Sequence, residues 1–96
     1  MIDKLLEKGI KIETINILLE DEVTFNDFEV NIDDVLEVID YLREINISNI
    51  DVLLKCYPDL FIGSKKDVEE RFKKKGVNFM VSLINDDIEN VELLYE

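Results

Sequence analysis

The sequence of 96 residues contains no histidine, no tryptophan, one proline and one cysteine. Without histidine there is no Ser-His-Asp triad, no Cys-His pair and no ordinary zinc site. The single cysteine, Cys56, excludes an internal disulfide, which is typical of a reducing compartment. The three glycines, Gly9, Gly63 and Gly76, lie too far apart to form a phosphate-binding loop. We therefore expect no cofactor, no metal and no enzymatic activity.

Long apolar runs are missing as well, because none exceeds three residues. A helix that spans a bilayer needs about 20 mostly apolar residues, so we expect no membrane association. The charged residues between positions 3 and 8 do not match a signal peptide or an organellar transit peptide. The hydrophobic fraction of 47% excludes a disordered acidic tail. The length fits one domain over residues 1–96, which we expect to be cytoplasmic.

The net charge of −12 is distributed unevenly along the chain. Between residues 12 and 64, thirteen acidic residues accompany only Arg43 and Lys55. Such a surface repels phosphate backbones and favours basic partners. The simpler interpretation is that most of these acids are solvated helix faces that keep the protein in solution. Six of the eleven basic residues fall in one segment: Lys65, Lys66, Arg71, Lys73, Lys74 and Lys75.

Apolar residues recur every three or four positions along most of the chain, which is the spacing of one face of a helix. This pattern predicts an all-α domain of about six helices, near residues 2–8, 12–20, 35–45, 50–57, 65–75 and 79–84. The apolar face continues over residues 88–95 after a break at 85–87. Pro58 ends the fourth helix. The predicted core contains Leu5, Leu18, Val35, Ile39, Leu42, Ile50, Leu53, Leu54, Leu60, Phe61, Val68, Phe72, Leu83 and Ile84.

The segment from residue 23 to residue 30 has two interpretations. Its apolar residues could form one side of a short β-hairpin, with Asn26-Asp27 as the turn. A lone hairpin is marginally stable unless it packs against another element. The alternative, which we favour, is an irregular connector whose Phe25 and Phe28 fill the gap between helices.

Three helix starts share the same chemistry. Asn31, Ser48 and Ser64 each stand three residues before an aspartate at the beginning of an apolar helical pattern. A short polar side chain at the cap accepts a hydrogen bond from a free backbone N–H, and an acid in the first turn suits the helix dipole. We therefore predict that these three residues are N-caps.

The sequence also repeats itself weakly. Gly9-Ile10, Asn46-Ile47 and Gly76-Val77 each follow a predicted helix, and each precedes an apolar triplet spaced i, i+3, i+4. The triplets begin at Ile15, Ile50 and Met80, so the offsets are about 35 and 30 residues. This period is typical of stacked helical units that cover one another's apolar faces.

One stretch of this pattern resembles a known family. Residues 35–61 read VLEVIDYLREINISNIDVLLKCYPDLF. This stretch is similar to the repeat of the mitochondrial transcription termination factor (mTERF) family: an apolar helix ending in Leu, a small corner, Ile-x-x-Leu-Leu and a Pro-x-Leu exit. The likeness covers about one repeat and the flanking halves. It departs from the pattern at Asn46, where glycine is usual, and at Val23, where proline is expected.

The resemblance implies a solenoid of three-helix repeats and nucleic-acid binding, for which two or three units provide a small surface. We expect instead a non-enzymatic interaction or regulatory module that binds a protein partner, which its charge suggests is basic. One alternative is nucleic-acid binding through the basic helix 65–75, and another is an acidic DNA-mimic inhibitor. We interpret Cys56 as a structural residue packed beside Leu53 and Tyr57.

Overall fold

A computed structural model of the chain describes residues Met1–Glu96. It consists of eight α-helices and a C-terminal 3₁₀ helix, without a strand. The predicted all-α fold is therefore confirmed, although there are more helices than the six expected. The α-helices are α1 (Ile2–Glu7), α2 (Ile12–Glu20), α3 (Glu22–Val30), α4 (Ile32–Glu44), α5 (Ile50–Cys56), α6 (Asp59–Ile62), α7 (Lys65–Lys75) and α8 (Val77–Asp86), and the 3₁₀ helix is Ile88–Tyr95.

Neither interpretation of residues 23–30 is correct, because this segment lies within α3. The helix begins at Asp21, whose carboxylate accepts hydrogen bonds from the backbone N–H groups of Val23 (3.1 Å) and Thr24 (3.3 Å). The hydroxyl group of Thr24 also donates to Asp21. Asp21 is thus the N-cap of α3. Negative charge is unfavourable at the C-terminus of α2 but favourable at the N-terminus of α3, where the helix dipole is positive. The side chain of Phe28 is fully buried although it was not among the predicted core residues.

The apolar exit after Pro58 is also helical. Pro58 ends α5 as predicted, but it then serves as the N-cap residue of the one-turn helix α6. Its backbone φ of −61° is already helical, and its carbonyl group accepts a hydrogen bond from the N–H of Phe61 at 3.0 Å. α6 directs Leu60 and Phe61 into the core, where both are buried.

The core is one cluster of 22 buried hydrophobic residues. Thirteen of the fourteen predicted core residues belong to it, and Leu83 is half-buried. The other nine members of the cluster were not predicted. Four of them, Ile15, Val38, Tyr41 and Met80, lie on the long helices α2, α4 and α8. The remaining five lie at corners, in α3 or in the 3₁₀ helix: Ile10, Phe28, Ile47, Val91 and Leu94.

The three corners identified from the sequence share an unusual backbone conformation. Gly9, Asn46 and Gly76 have φ values of +80°, +73° and +97°, and no other residue with positive φ occurs. Glycine adopts this conformation without a steric penalty, and asparagine tolerates it better than most residues. At the first two corners the next residue, Ile10 or Ile47, donates a hydrogen bond to the carbonyl five positions earlier. This arrangement is a Schellman C-cap that turns the chain sharply.

The predicted N-caps behave differently from one another. Ser64 caps α7 as predicted, since its hydroxyl group accepts a hydrogen bond from the N–H of Asp67 at 3.2 Å. Asn31 precedes α4, but its side chain donates to the carbonyl of Asp27 at the end of α3 instead. Ser48 is not the N-cap of α5, because the helix begins at Ile50 and its N-cap is Asn49. Its N–H and hydroxyl groups both donate to Oδ1 of Asn85, which connects this corner to α8.

Candidate functional site

The predicted basic helix forms as expected and corresponds to α7. Val68 and Phe72 are buried and fix the helix to the core. Three of the predicted binding residues, Lys66, Lys73 and Lys74, are exposed on its outer side. The other three, Lys65, Arg71 and Lys75, are half-buried. Lys73 also lies 3.9 Å from the carboxylate of Glu69, one turn away. The structure therefore brings only part of the predicted set to one open face.

Arg71 is directed towards the end of the chain rather than along the basic face. Its Nε donates a hydrogen bond to Asp67 at 3.2 Å, and one terminal nitrogen donates to the carbonyl oxygen of Leu94 at 3.2 Å. The guanidinium carbon lies 4.7 Å from the centre of the Tyr95 ring, a distance typical of a cation–π contact. The contacts with Leu94 and Tyr95 hold the 3₁₀ helix against α7, whereas the contact with Asp67 lies within α7. Arg71 is thus a structural residue, which lowers its availability to an external phosphate.

A cleft of about 420 Å³ lies beside the clamp that Arg71 forms with Leu94 and Tyr95. One wall comes from the end of α5 and the start of α6, and the other comes from the 3₁₀ helix. Its volume is within the range of about 300–1,000 Å³ that is common for ligand pockets. No basic residue lines it. The lining residues are Cys56, Tyr57, Pro58, Asp59, Glu92 and Tyr95.

Negative charge surrounds the two tyrosines of the cleft. Partial burial raises the pKa of Tyr57 above its ordinary value of 10.0, and the carboxylates of Glu92 and Glu89 raise it further. Burial also raises the pKa of Tyr95; Arg71 opposes this change, whereas Asp59 adds to it. In both cases a nearby carboxylate disfavours the phenolate. The cleft therefore combines aromatic surface with a negative potential.

Cys56 lies at the edge of this cleft and is exposed. The interpretation of Cys56 as a packed residue beside Leu53 is therefore wrong. Leu53 is 1% exposed, whereas Cys56, three positions later at the end of α5, lies outside the covered face.

The cleft has no local signature in the sequence, because its two walls are more than 30 positions apart in the chain. The apolar pattern places Tyr57 on the face of the predicted helix 50–57 and Tyr95 at the end of the face over residues 88–95. A second hollow, of about 440 Å³, is lined by Met1, Ile2, Asp3, Phe25 and Glu29, between α1 and α3. No group of three or more acidic or cysteine side chains is arranged to hold a metal ion.

Comparison with known proteins identifies no relative. The chain matches no family model, no curated protein and no solved structure. The resemblance to the mTERF repeat thus stays a prediction that depends on residues 35–61 alone. None of the helices is long and apolar enough to cross a membrane.

Proposed function

We propose that this protein is a non-enzymatic helical-repeat module that binds a basic protein partner. The order of elements supports the repeat, because the nine helices fall into three consecutive groups of three. The groups are α1–α2–α3, α4–α5–α6 and α7–α8–3₁₀. A residue with positive φ follows the first helix of each group, at Gly9, Asn46 and Gly76. These groups agree with the three-helix repeat of the mTERF family, which supports assignment to that architecture.

The observation that carries the proposed function is that most carboxylates on the acidic surface form no ion pair with a basic side chain. Only three of the 23 acidic residues, Asp40, Asp67 and Glu69, form an ion pair within 4.0 Å. None of the acidic side chains is buried. Carboxylates that are neither paired nor buried project their field into solvent. That field attracts a basic partner, accelerates its association and makes the association sensitive to salt.

Affinity capture with the whole chain from a lysate of the source cells tests this proposal. We expect captured proteins with basic surfaces, identified by mass spectrometry, that are released as salt is raised. Nuclease treatment of the lysate should not release them. A captured protein that itself binds DNA, and that loses DNA when this chain binds, would favour the DNA-mimic alternative.

A matched pair of variants makes the test specific. In the first, Asp33→Asn, Glu37→Gln and Glu44→Gln remove exposed negative charge from α4 while keeping the side-chain size. In the second, Lys66→Gln and Lys74→Gln remove exposed positive charge from α7. We expect weaker capture by the first variant and unchanged capture by the second. The opposite order, together with release by nuclease, would contradict the proposal.

Nucleic-acid binding through α7 is the second candidate. The observation in its favour is the exposure of Lys66, Lys73 and Lys74 on one side of the helix. Two features oppose it: the overall charge is −12, and Arg71 is held by contacts within the chain. The same helix also carries Asp67, Glu69 and Glu70, which reduce attraction to phosphate.

A further inference from the structure

We infer that the cleft between α5–α6 and the 3₁₀ helix binds one lysine or arginine side chain of the partner protein. This inference rests on the proposed function and locates the specific contact within the broad acidic surface. The cleft combines two tyrosine rings, Tyr57 and Tyr95, with two carboxylates, Asp59 and Glu92, and has no basic group in its lining.

Each part of this lining suits a cationic side chain. A cation over an aromatic ring is attracted by the negative face of the π system, and the attraction strengthens where water is partly excluded. A carboxylate at the same site accepts a charge-assisted hydrogen bond from an ammonium or guanidinium group. The aromatic and proline surfaces cover the aliphatic stem of a long basic side chain. The open mouth of the cleft suits a side chain that enters from a second protein.

The molecule already contains this recognition geometry. Arg71 places its guanidinium group 4.7 Å from the centre of the Tyr95 ring while it donates a hydrogen bond to the carboxylate of Asp67 at 3.2 Å. Ring, cation and carboxylate thus meet within one small region. Arg71 already covers the ring of Tyr95, whereas no cation of the chain lies over the ring of Tyr57, which the cleft combines with the carboxylates of Asp59 and Glu92. A partner's lysine or arginine supplies the missing charge.

The charges around the cleft argue against an anionic ligand. Besides the lining residues Asp59 and Glu92, the carboxylates of Glu89 and Asp87 lie close enough to raise the pKa of Tyr57. A phosphate or carboxylate would be repelled by all of these groups. Arg71 offsets part of this charge at Tyr95, but its Nε and one terminal nitrogen donate to Asp67 and Leu94 rather than into the cleft.

NMR titration of the isotope-labelled full chain tests the inference with three small probes. These are N-acetyl-lysine methylamide, N-acetyl-arginine methylamide and the uncharged N-acetyl-norleucine methylamide, which has the length of lysine without its charge. We expect saturable shifts of the backbone amides at Cys56, Tyr57, Asp59, Glu92 and Tyr95 with the two cationic probes. The dissociation constant should be about 1 mM, since so small a ligand makes few contacts. The norleucine probe should cause no saturable shift.

Three variants assign the effect to the cleft. Tyr57→Leu should raise the dissociation constant of the lysine probe about threefold to tenfold, because it removes an aromatic face. Glu92→Gln should raise it by a similar factor. Glu13→Gln, an exposed change on α2, is the matched control and should leave binding unchanged. Unshifted signals elsewhere in each spectrum confirm that the variant is folded.

Two results would overturn the inference. One is equal shifts with the norleucine probe, which would indicate apolar binding without charge recognition. The other is shifts with the cationic probes that spread over the acidic helices and never saturate at the cleft. Neither result affects the proposed function, which fails separately if capture from the lysate yields no basic, salt-sensitive partner.

Discussion

The hydroxyl group of Thr14 donates a hydrogen bond of 2.8 Å to Oδ2 of Asp51. The same oxygen accepts a hydrogen bond from the backbone N–H of Lys11 at 2.9 Å. Lys11 precedes α2, and Asp51 lies in the first turn of α5, so one carboxylate serves the N-termini of two helices that are 40 positions apart. Thr14 is also the only buried polar residue of the chain.

Removal of this connection should destabilise the protein. We expect Thr14→Val to lower the free energy of unfolding by about 1 kcal/mol, because a buried hydrogen bond is lost. Asp51→Ala should cost about 1–3 kcal/mol, since it leaves the buried hydroxyl group of Thr14 without an acceptor. Urea denaturation measures both changes. The double variant should cost less than their sum, and strict additivity would contradict the coupling.

The burial of Phe28 provides a direct test of α3. Phe28→Ala should lower the free energy of unfolding by about 3–5 kcal/mol, as expected when a fully buried aromatic side chain is removed. The matched control is Phe25→Ala in the same helix, where the side chain is only half-buried and a smaller loss is expected. Equal losses at the two positions would be inconsistent with the packing of α3.

Alkaline pH should weaken the fold. The pKa values of Tyr41, Tyr57 and Tyr95 are all raised from 10.0, in each case chiefly by burial. Above about pH 10 the unfolded chain therefore loses these protons while the folded chain retains them, so stability decreases as pH rises. Stability that is fully present at neutral pH should fall beyond pH 10 in urea titrations. Tyr41→Phe should reduce this decrease, and an unchanged slope would show that Tyr41 does not contribute.

The clamp formed by Arg71 should control the end of the chain. Arg71→Met keeps the aliphatic stem but removes the contacts to Leu94 and Tyr95. We expect faster hydrogen exchange of the backbone amides in residues 93–96 and little change in α4. Arg71→Lys is a useful comparison, since it keeps the charge but not the fork of donors. Unaltered exchange in Arg71→Met would show that the 3₁₀ helix is held by Val91 and Leu94 alone.

The basic helix should not bind nucleic acid with useful affinity. In a gel shift near physiological salt, we expect no binding of duplex or single-stranded DNA below about 10 μM protein, a range that non-specific DNA binders often reach. We would favour nucleic-acid binding as the function if binding were steeply salt-dependent and were lost on conversion of Lys66, Lys73 and Lys74 to Glu. These exposed positions allow the substitutions without disturbing Val68 and Phe72.

Helical periodicity was sufficient to predict the long helices and most of their buried faces. Both ends of α7 were also predictable, because Ser64 is a good N-cap and Gly76 follows the last residue of the helix. Asp21 shows why α3 is difficult to predict: three consecutive acids are unfavourable at the C-terminus of α2, whereas the middle one is the N-cap of the next helix. Phe25 and Phe28 fitted one side of a hairpin or a connector between helices, since local patterns do not reveal which element covers a side chain.

The candidate site was less predictable than the fold. The basic residues of α7 attracted attention because they are adjacent in sequence, yet Arg71 is directed at Tyr95 through a tertiary contact that has no local signature. Tyr57 and Glu92 come together only after α5 and the 3₁₀ helix dock. Cys56 is exposed although the predicted helix 50–57 differs from α5 by only one residue, because local periodicity does not show where the covered face of a helix ends.

The cleft is a seam between two segments that meet only in the folded chain, one ending α5 and the other closing the sequence. Short elements with few buried side chains are among the parts most prone to open locally while the rest of a protein stays folded, and the 3₁₀ helix buries only Val91 and Leu94. A side chain bound across this seam would fasten the 3₁₀ helix, because the ligand is released whenever the two walls separate. At a hundred times the dissociation constant, this linkage adds about 2.7 kcal/mol to the free energy of local opening. Occupancy of the cleft should thus be measurable as slower hydrogen exchange of the backbone amides from Leu93 to Glu96.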